Sequence, residues 1–184
     1  MSARARVREH LLAHSVRRGD FVLKSGKRSS WFIDSKQTIL APEVMEDLAT
    51  LMLERIPDDA TAIGGLTMGA DGASFVTAAV AATRGRYLRA FSVRKEVKDH
   101  GAGGRIAGCL ELGDRVVITE DTTSRGTSLL EALRVVREFG ATPVLVLAVV
   151  DRGGTAAALA ASEGVAFDAL FSATDLGFTY DVGS

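Results

Sequence analysis

The chain has 184 residues, 47% hydrophobic and 24% charged, with a formal net charge of −1. This fits one soluble globular domain, residues 1–184, with a sizeable core; it gives no basic excess for a nucleic-acid partner and no apolar run of about 18 residues for a membrane span. The lone Cys109 excludes an intrachain disulfide and suits a reducing cytoplasm, and the basic N-terminus has no apolar stretch behind it, so no secretory signal is expected.

Residues 3–13 carry Val7, Leu11 and Leu12 at helical spacing with arginines between them, which predicts a short amphipathic helix. Two strands, 20–24 and 30–35, flank a Ser-Gly turn as a hairpin, whose hydroxyl and basic residues equally suit a solvated tip. A helix over 42–55 follows, with Pro42 in its first turn and Val44, Leu48, Leu51 and Met52 on one face. Thr61-Ala62-Ile63 reads as a strand that runs into a glycine-rich loop, Gly64 to Gly72, and then an alanine-rich helix over 73–83. Glycines there let backbone approach a ligand closely, or merely turn tightly. After a strand at 87–93, six of the seven residues from Arg94 to His100 are ionisable and glycines follow, so a mobile loop is predicted. Ile106 to Leu110 reads as a short edge strand.

The stretch 115–133 is the most informative. An apolar β-branched run, Val116 to Ile118, leads into Glu120 and Asp121, then into small hydroxyl residues and one glycine, Thr122 to Ser128. Leucines at helical spacing start a helix near Thr127 or Ser128 that ends at Gly140. A strand, a small-residue loop and a helix N-terminus together suit an anion such as phosphate. Two acids at the mouth of a phosphate loop make sense if the ligand also carries hydroxyls, which carboxylates accept strongly. A sugar phosphate meets both demands; solvated acids beside an ordinary N-cap are the plainer alternative. Neither a Gly-Lys-Ser/Thr ending nor Gly-x-Gly-x-x-Gly is present. Val144 to Val150 is an uninterrupted apolar run, as in a strand buried on both faces, and it ends at Asp151-Arg152-Gly153-Gly154, where open α/β sheets bind ligands. A helix at 154–162, a strand at 168–172 and a tail from Asp175 lying over the domain complete the series, which alternates into a parallel α/β sheet.

The run Val-Val-Ile-Thr-Glu-Asp-Thr-Thr-Ser-Arg-Gly-Thr-Ser resembles the phosphoribosyl pyrophosphate (PRPP) signature of type I phosphoribosyltransferases. Arg94-Lys95-x-x-Lys98-x-His100-Gly101 is similar to the lid of the orotate phosphoribosyltransferases, as Phe21-x-Leu23-Lys24-Ser25-Gly26 is to their N-terminal segment. Gly64 to Gly72 resembles their pyrophosphate loop, with Thr67-Met68 where many members have Tyr-Lys, so that backbone N–H groups and Thr67 serve in place of a lysine.

The resemblance implies a type I fold, a parallel sheet flanked by helices with a hood from residues 1–40, and transfer of 5-phosphoribosyl from PRPP to orotate. It implies PRPP contacts from Lys24, Arg94, Lys95, Lys98, His100, Glu120, Asp121, Thr122, Thr123, Ser124, Arg125, Gly126, Thr127 and Ser128. The ribose diol would rest on the acids and the 5-phosphate in the loop. Arg125 would point outward or meet phosphate. Trp31, Phe32, Ser124 and Arg152 would form the orotate site. Lys98, His100 and Asp121 are the catalytic candidates, with Lys98 or His100 as proton donor. Mg2+ would come with the substrate and take no ligand directly from the protein. A homodimer sharing lid 94–104 across subunits is also implied. The alternatives are a phosphoribosyltransferase for another base and a PRPP-binding regulator.

Overall fold

The structure, a computed structural model, describes residues 1–22, 28–98 and 104–180. Among the described residues, eight strands form two sheets: β1 (Val16–Val22), β2 (Arg28–Ile33), β3 (Ala62–Leu66), β4 (Arg89–Lys98), β5 (Gly104–Gly108), β6 (Arg115–Thr123), β7 (Thr142–Asp151) and β8 (Ala166–Ser172). The helices are α1 (Ala3–His10), continued by a π-helical turn over Leu11–Ser15, then α2 (Lys36–Ile39), α3 (Met45–Leu53), α4 (Gly69–Thr83), α5 (Thr127–Phe139) and α6 (Ala156–Ser162).

The main sheet has the order β5-β4-β3-β6-β7-β8, parallel throughout except for the antiparallel edge β5. The five strands expected to form a parallel sheet do so, and the expected short edge strand joins them antiparallel. Side chains alternate across it with period two. Val117, Leu145, Leu147 and Val149 join one core with residues of α1, α3 and α4. Val116, Ile118 and Val146 face the other way into a core with Leu129, Leu133 and Val136 of α5 and Ala156 and Ala160 of α6. Strand order reverses between β3 and β6, so the crevice at a topological switch point opens over their C-terminal ends.

Three expectations about this frame are corrected. Gly64 and Gly65 lie inside β3, where a Cβ would come within 2.2 Å of Phe91 O and 2.3 Å of Thr119 O respectively. They let β3 fit between its neighbours and leave the ligand loop shorter, since α4 starts at Gly69 and not at 73. Helix α3 starts at Met45, because Pro42 lies in a turn and Val44 takes a non-helical φ of −134°. The ionisable segment from Arg94 to Lys98 is strand, not loop: β4 pairs with β5 from Phe91↔Gly108 to Val93↔Ile106 and, after a shift of register, again at Lys98↔Gly104. An exposed edge ribbon needs backbone partners and tolerates charge on its outer positions; residues 99–103 of the expected lid lie outside the described residues.

The hood is α1, its π turn, the β1–β2 hairpin and α2. Strand β1 starts at Val16, four residues before the expected 20, because Val16 already pairs with Ile33. The aromatic ring of Phe178 in the C-terminal segment stacks on the Trp31 ring at 4.4 Å, so the segment after β8 packs against the hood at that point. Residues 181–184 lie outside the described residues.

Candidate active site

Strand β6 carries the acids to the crevice. Glu120 and Asp121 are 8% and 7% exposed, and both carboxylates lie over the first residue of α4. A Cβ at Gly69 would sit 2.7 Å from Glu120 Oε1 and 2.8 Å from Asp121 Oδ1. The α4 N-terminus therefore meets the acids at the switch point, where its dipole favours negative charge.

The loop after the acids turns sharply into α5. Gly126 takes a left-handed φ of 75°, with Leu159 packed so close that a Cβ would come 2.5 Å from its Cδ2. Among the described residues no side chain caps α5. Residues 122–128 instead line a cleft of about 620 Å3, together with Glu120, Phe32 and Arg152. The Thr123 hydroxyl is buried and has no partner among the described residues. Arg125 is exposed and stands at the rim of the same cleft. Uncapped helix N–H groups, hydroxyls and one rim guanidinium suit a phosphate.

Tertiary contacts hold that loop from behind. The Arg152 N–H donates to Thr123 O at 2.8 Å, and the Thr155 hydroxyl donates to Ser124 O at 2.9 Å. Gly153 passes so near Ser124 that a Cβ would lie 1.8 Å from its carbonyl oxygen. Asp151 accepts from the Gly153 and Gly154 N–H groups at 3.2 and 2.9 Å.

Arg152 is 6% exposed. Its guanidinium donates to Ser29 Oγ at 3.0 Å and Trp31 O at 2.8 Å, and lies 4.9 Å from the centre of the Trp31 ring. The pairing of Trp31 with Phe32 as two walls of one site is corrected. Adjacent strand residues face opposite sides, and β2 buries Ser29, Trp31 and Ile33 while exposing Arg28, Ser30 and Phe32. Phe32 lines the cleft; Trp31 supports Arg152 from the other side.

Two acids side by side in a buried setting cannot both ionise cheaply. Burial, then the charge of Asp121 and a hydrogen bond with it, push the Glu120 carboxyl up to about 8, against the opposing charge of Lys36. The Lys36 ammonium lies 2.5 Å from Asp121 Oδ2 and 3.8 Å from Asp34 Oδ1. Burial pulls its pKa down, but the hydrogen bond and charge of Asp121, with Asp34 and Glu120, outweigh that and leave it raised. Next to it, Ser35 Oγ meets Thr122 Oγ1 at 2.8 Å. Neither Ser35 nor Lys36 carries a sequence signal for this place; only the hood's position over β6 brings them there.

Across the crevice, the Thr67 hydroxyl donates to Asp71 Oδ2 at 2.6 Å, and Ser92 donates to Asp71 Oδ1 at 2.6 Å. The Thr67 proton is therefore engaged inside the protein, and the main-chain N–H groups at the start of α4 are left as the donors of this loop. Arg94 donates to the carbonyls of Gly104 and Ile106 on its own ribbon at 3.3 and 3.5 Å, and Lys95 is exposed. Neither lines the cleft of this chain. Lys24, His100 and the side chain of Lys98 lie outside the described residues.

A parallel sheet with a hood over its switch point, an acid pair and an anion loop at one strand end is the arrangement of the type I phosphoribosyltransferases. The chain is 38% identical over 178 residues to the orotate phosphoribosyltransferase of Corynebacterium glutamicum, covering 96% of this chain and 95% of that one. It is 37% identical over 179 residues to that of a Bradyrhizobium species, covering 95% and 97%. The chain belongs to the orotate phosphoribosyltransferase family. No protein-family model matches it. Among solved structures it is similar to the Mycobacterium tuberculosis orotate phosphoribosyltransferase in complex with Fe(III) dicitrate, with a TM-score of 0.85 and 34% identity over 96% of this chain and 99% of that one. The same M. tuberculosis enzyme in complex with PRPP superposes with a TM-score of 0.81 at 32% identity, covering 96% and 99%.

Proposed function

We infer that the protein transfers the 5-phosphoribosyl group of PRPP to orotate, giving orotidine 5-monophosphate and pyrophosphate, a step of pyrimidine nucleotide synthesis. The observation that carries this is the meeting, in one cleft of a chain of this family, of the buried Glu120–Asp121 pair, the 122–128 anion loop and Arg152. In the reaction the bond from ribose C1 to pyrophosphate breaks, its electron pair leaves with pyrophosphate, and an orotate ring nitrogen bonds to C1 as it gives up its N–H proton. Positive charge builds on the ribose ring in between. The protein then has to position two substrates and offer charge, and it needs no nucleophile of its own.

In this reading the loop from Thr122 to Ser128 grips the 5-phosphate with N–H groups and hydroxyls. Glu120 and Asp121 hold the ribose hydroxyls and place negative potential near the developing cation. Arg152 faces the base and its carboxylate, with Phe32 against the ring. Lys95, Lys98 and His100 cover the leaving pyrophosphate, and Lys98 or His100 supplies its proton. Among the described residues no group of three or more His, Cys, Asp or Glu side chains is gathered for a metal. Mg2+ would arrive on PRPP and keep substrate oxygens, not protein side chains, as its ligands. It would neutralise charge on the leaving group. Arg94 and Lys95 stand on the β4–β5 ribbon at the sheet edge and do not line the cleft of their own chain, which favours a homodimer in which the lid serves the neighbour's site. The whole chain serves as one phosphoribosyltransferase domain acting in the cytoplasm; among the described residues no helix is long and apolar enough to cross a membrane.

Turnover is read directly from the loss of orotate ultraviolet absorbance with PRPP and Mg2+. Wild type is expected to need all three components, and Lys98→Ala to lose about 10²–10³ in kcat, the usual cost of removing a charge-stabilising donor. Binding of PRPP without turnover of orotate would redirect the assignment to another base or to a regulator. Arg152→Lys keeps the charge but loses the planar fork, so the KM for orotate should rise about tenfold or more while that for PRPP moves much less. Equal rises in both would remove Arg152 from the base site.

A further inference from the structure

We propose that Lys36 is a positioning residue for the phosphoribosyl donor: it fixes the Asp121 carboxylate and, with Ser35, the first residue of the anion loop. The proposal rests on the reading of the cleft as a PRPP site, and it adds a residue of the hood to that site.

Asp121 is held at both oxygens. Its Oδ1 accepts from the Thr122 N–H at 2.8 Å, and its Oδ2 accepts from the Lys36 ammonium at 2.5 Å. One residue to each side, Ser35 Oγ and Thr122 Oγ1 meet at 2.8 Å. The consecutive pair Ser35–Lys36 thus clasps the consecutive pair Asp121–Thr122 at two points, 85 or more residues away in the chain. The clasp ties α2 to the end of β6 where the acids give way to the loop.

The charges around the ammonium are few. Asp34 approaches from its own segment, and Asp121 and Glu120 approach from β6. Asp71 on α4 is taken up by Thr67 and Ser92. Lys36 is therefore the cation that compensates the acid pair among the described residues. Asp121 has 10% of its side chain exposed, so its charge is weakly screened and its geometry depends on that partner. Removing the ammonium would leave two buried acids facing each other. Glu120 would lose the charge that opposes its upward shift, Asp121 would be free to rotate, and Thr122 would lose the carboxylate that accepts its N–H. These changes reach the ribose and 5-phosphate contacts and bypass Arg152, which lies on the far side of the loop.

The test compares wild type, Lys36→Met and Lys36→Arg in full-length protein, with steady-state kinetics for each substrate from pH 5.5 to 9 and calorimetric titration with PRPP. Lys36→Met is expected to raise the KM and Kd for PRPP about tenfold or more, to leave the KM for orotate within about twofold, and to move the acidic limb of kcat/KM for PRPP up by about one pH unit. Lys36→Arg is expected to restore both the affinity and the profile. A purely structural clasp would lower stability without moving the pH limb. An unchanged limb and PRPP affinity in Lys36→Met, or an arginine variant as impaired as methionine, would overturn the proposal. Thermal melting keeps the two readings apart if Lys36→Met folds poorly, because Lys36→Gln then gives the uncharged comparison. Wild type that neither binds PRPP nor turns over would sink the reading of the cleft itself.

Discussion

Glu120→Gln should make the ligand-free protein more stable at pH 8.5 and a much poorer enzyme. The Glu120 carboxyl has an ordinary pKa of 4.5 and is raised to about 8 in the fold, first by burial and then by Asp121. Below about pH 4.5 it is protonated in both the folded and unfolded chain and costs nothing. Between about 4.5 and 8 the unfolded chain has released the proton that the folded chain keeps, so stability falls by about 1.4 kcal/mol per pH unit. Above about 8 the loss is complete. Glutamine has nothing to titrate, so the stability gap in its favour should widen from pH 5 to 8.5 and reach about 5 kcal/mol, or roughly 10–20 °C in Tm for a chain of this size. The amide cannot accept ribose hydroxyls with a full charge, and kcat/KM for PRPP should drop about a hundredfold, roughly 3 kcal/mol. Parallel melting curves for the two proteins across that range would show that Glu120 is not held protonated.

Gly153→Ala should cost about a hundredfold or more in kcat/KM for PRPP, although residue 153 contributes no side chain to the ligand. Space is the whole cause. A Cβ at this position would lie 1.8 Å from Ser124 O, 2.5 Å from its carbonyl carbon and 2.7 Å from its Cα. Every one of those is backbone, which cannot swing aside as a side-chain end can. The clash pushes residues 123–126 away from the Arg152 N–H and the Thr155 hydroxyl that hold them. An anion loop works only while its N–H groups converge, and a displacement of about 1 Å can remove two orders of magnitude in rate. Global stability should fall by only about 1–3 kcal/mol, the usual range for overpacking. A variant that melts lower yet keeps its KM for PRPP would show that the two loops move independently.

Both predictions concern residues whose importance differs from what their neighbours in sequence suggest. Glu120 and Asp121 are legible at once, because two acids that close an apolar strand and open a hydroxyl loop have few other uses. That Glu120 keeps its proton far above the ordinary range is not legible, since it follows from burial and from packing against Asp121, and the cation that opposes it, Lys36, arrives from a distant part of the chain. Gly153 follows Arg152 in a strand-end motif that reads as a ligand site, yet its own role is set by the approach of Ser124. The glycines at 64 and 65 show the reverse. They read as a ligand loop, and the close spacing of β3 between β4 and β6 claims them for packing.

What the amino-acid sequence determined by itself is the kind of element at each place and the chemistry brought to its ends. Apolar runs such as Val144 to Val150 can only be buried strands, and the acids and hydroxyls after Ile118 lie at a strand's C-terminal end because the chain leaves the core there. Those are local facts, fixed by side-chain periodicity and solubility. Tertiary structure alone decided which strand ends meet, that β4 carries its charges out along an edge ribbon, which of Trp31 and Phe32 faces the cleft, and that Ser35 and Lys36 close over Asp121. The physical reason is common to all four. Electrostatic and steric coupling depends on distances through space, and the energy of a buried charge or a close backbone approach is settled by whichever distant segment packing brings against it.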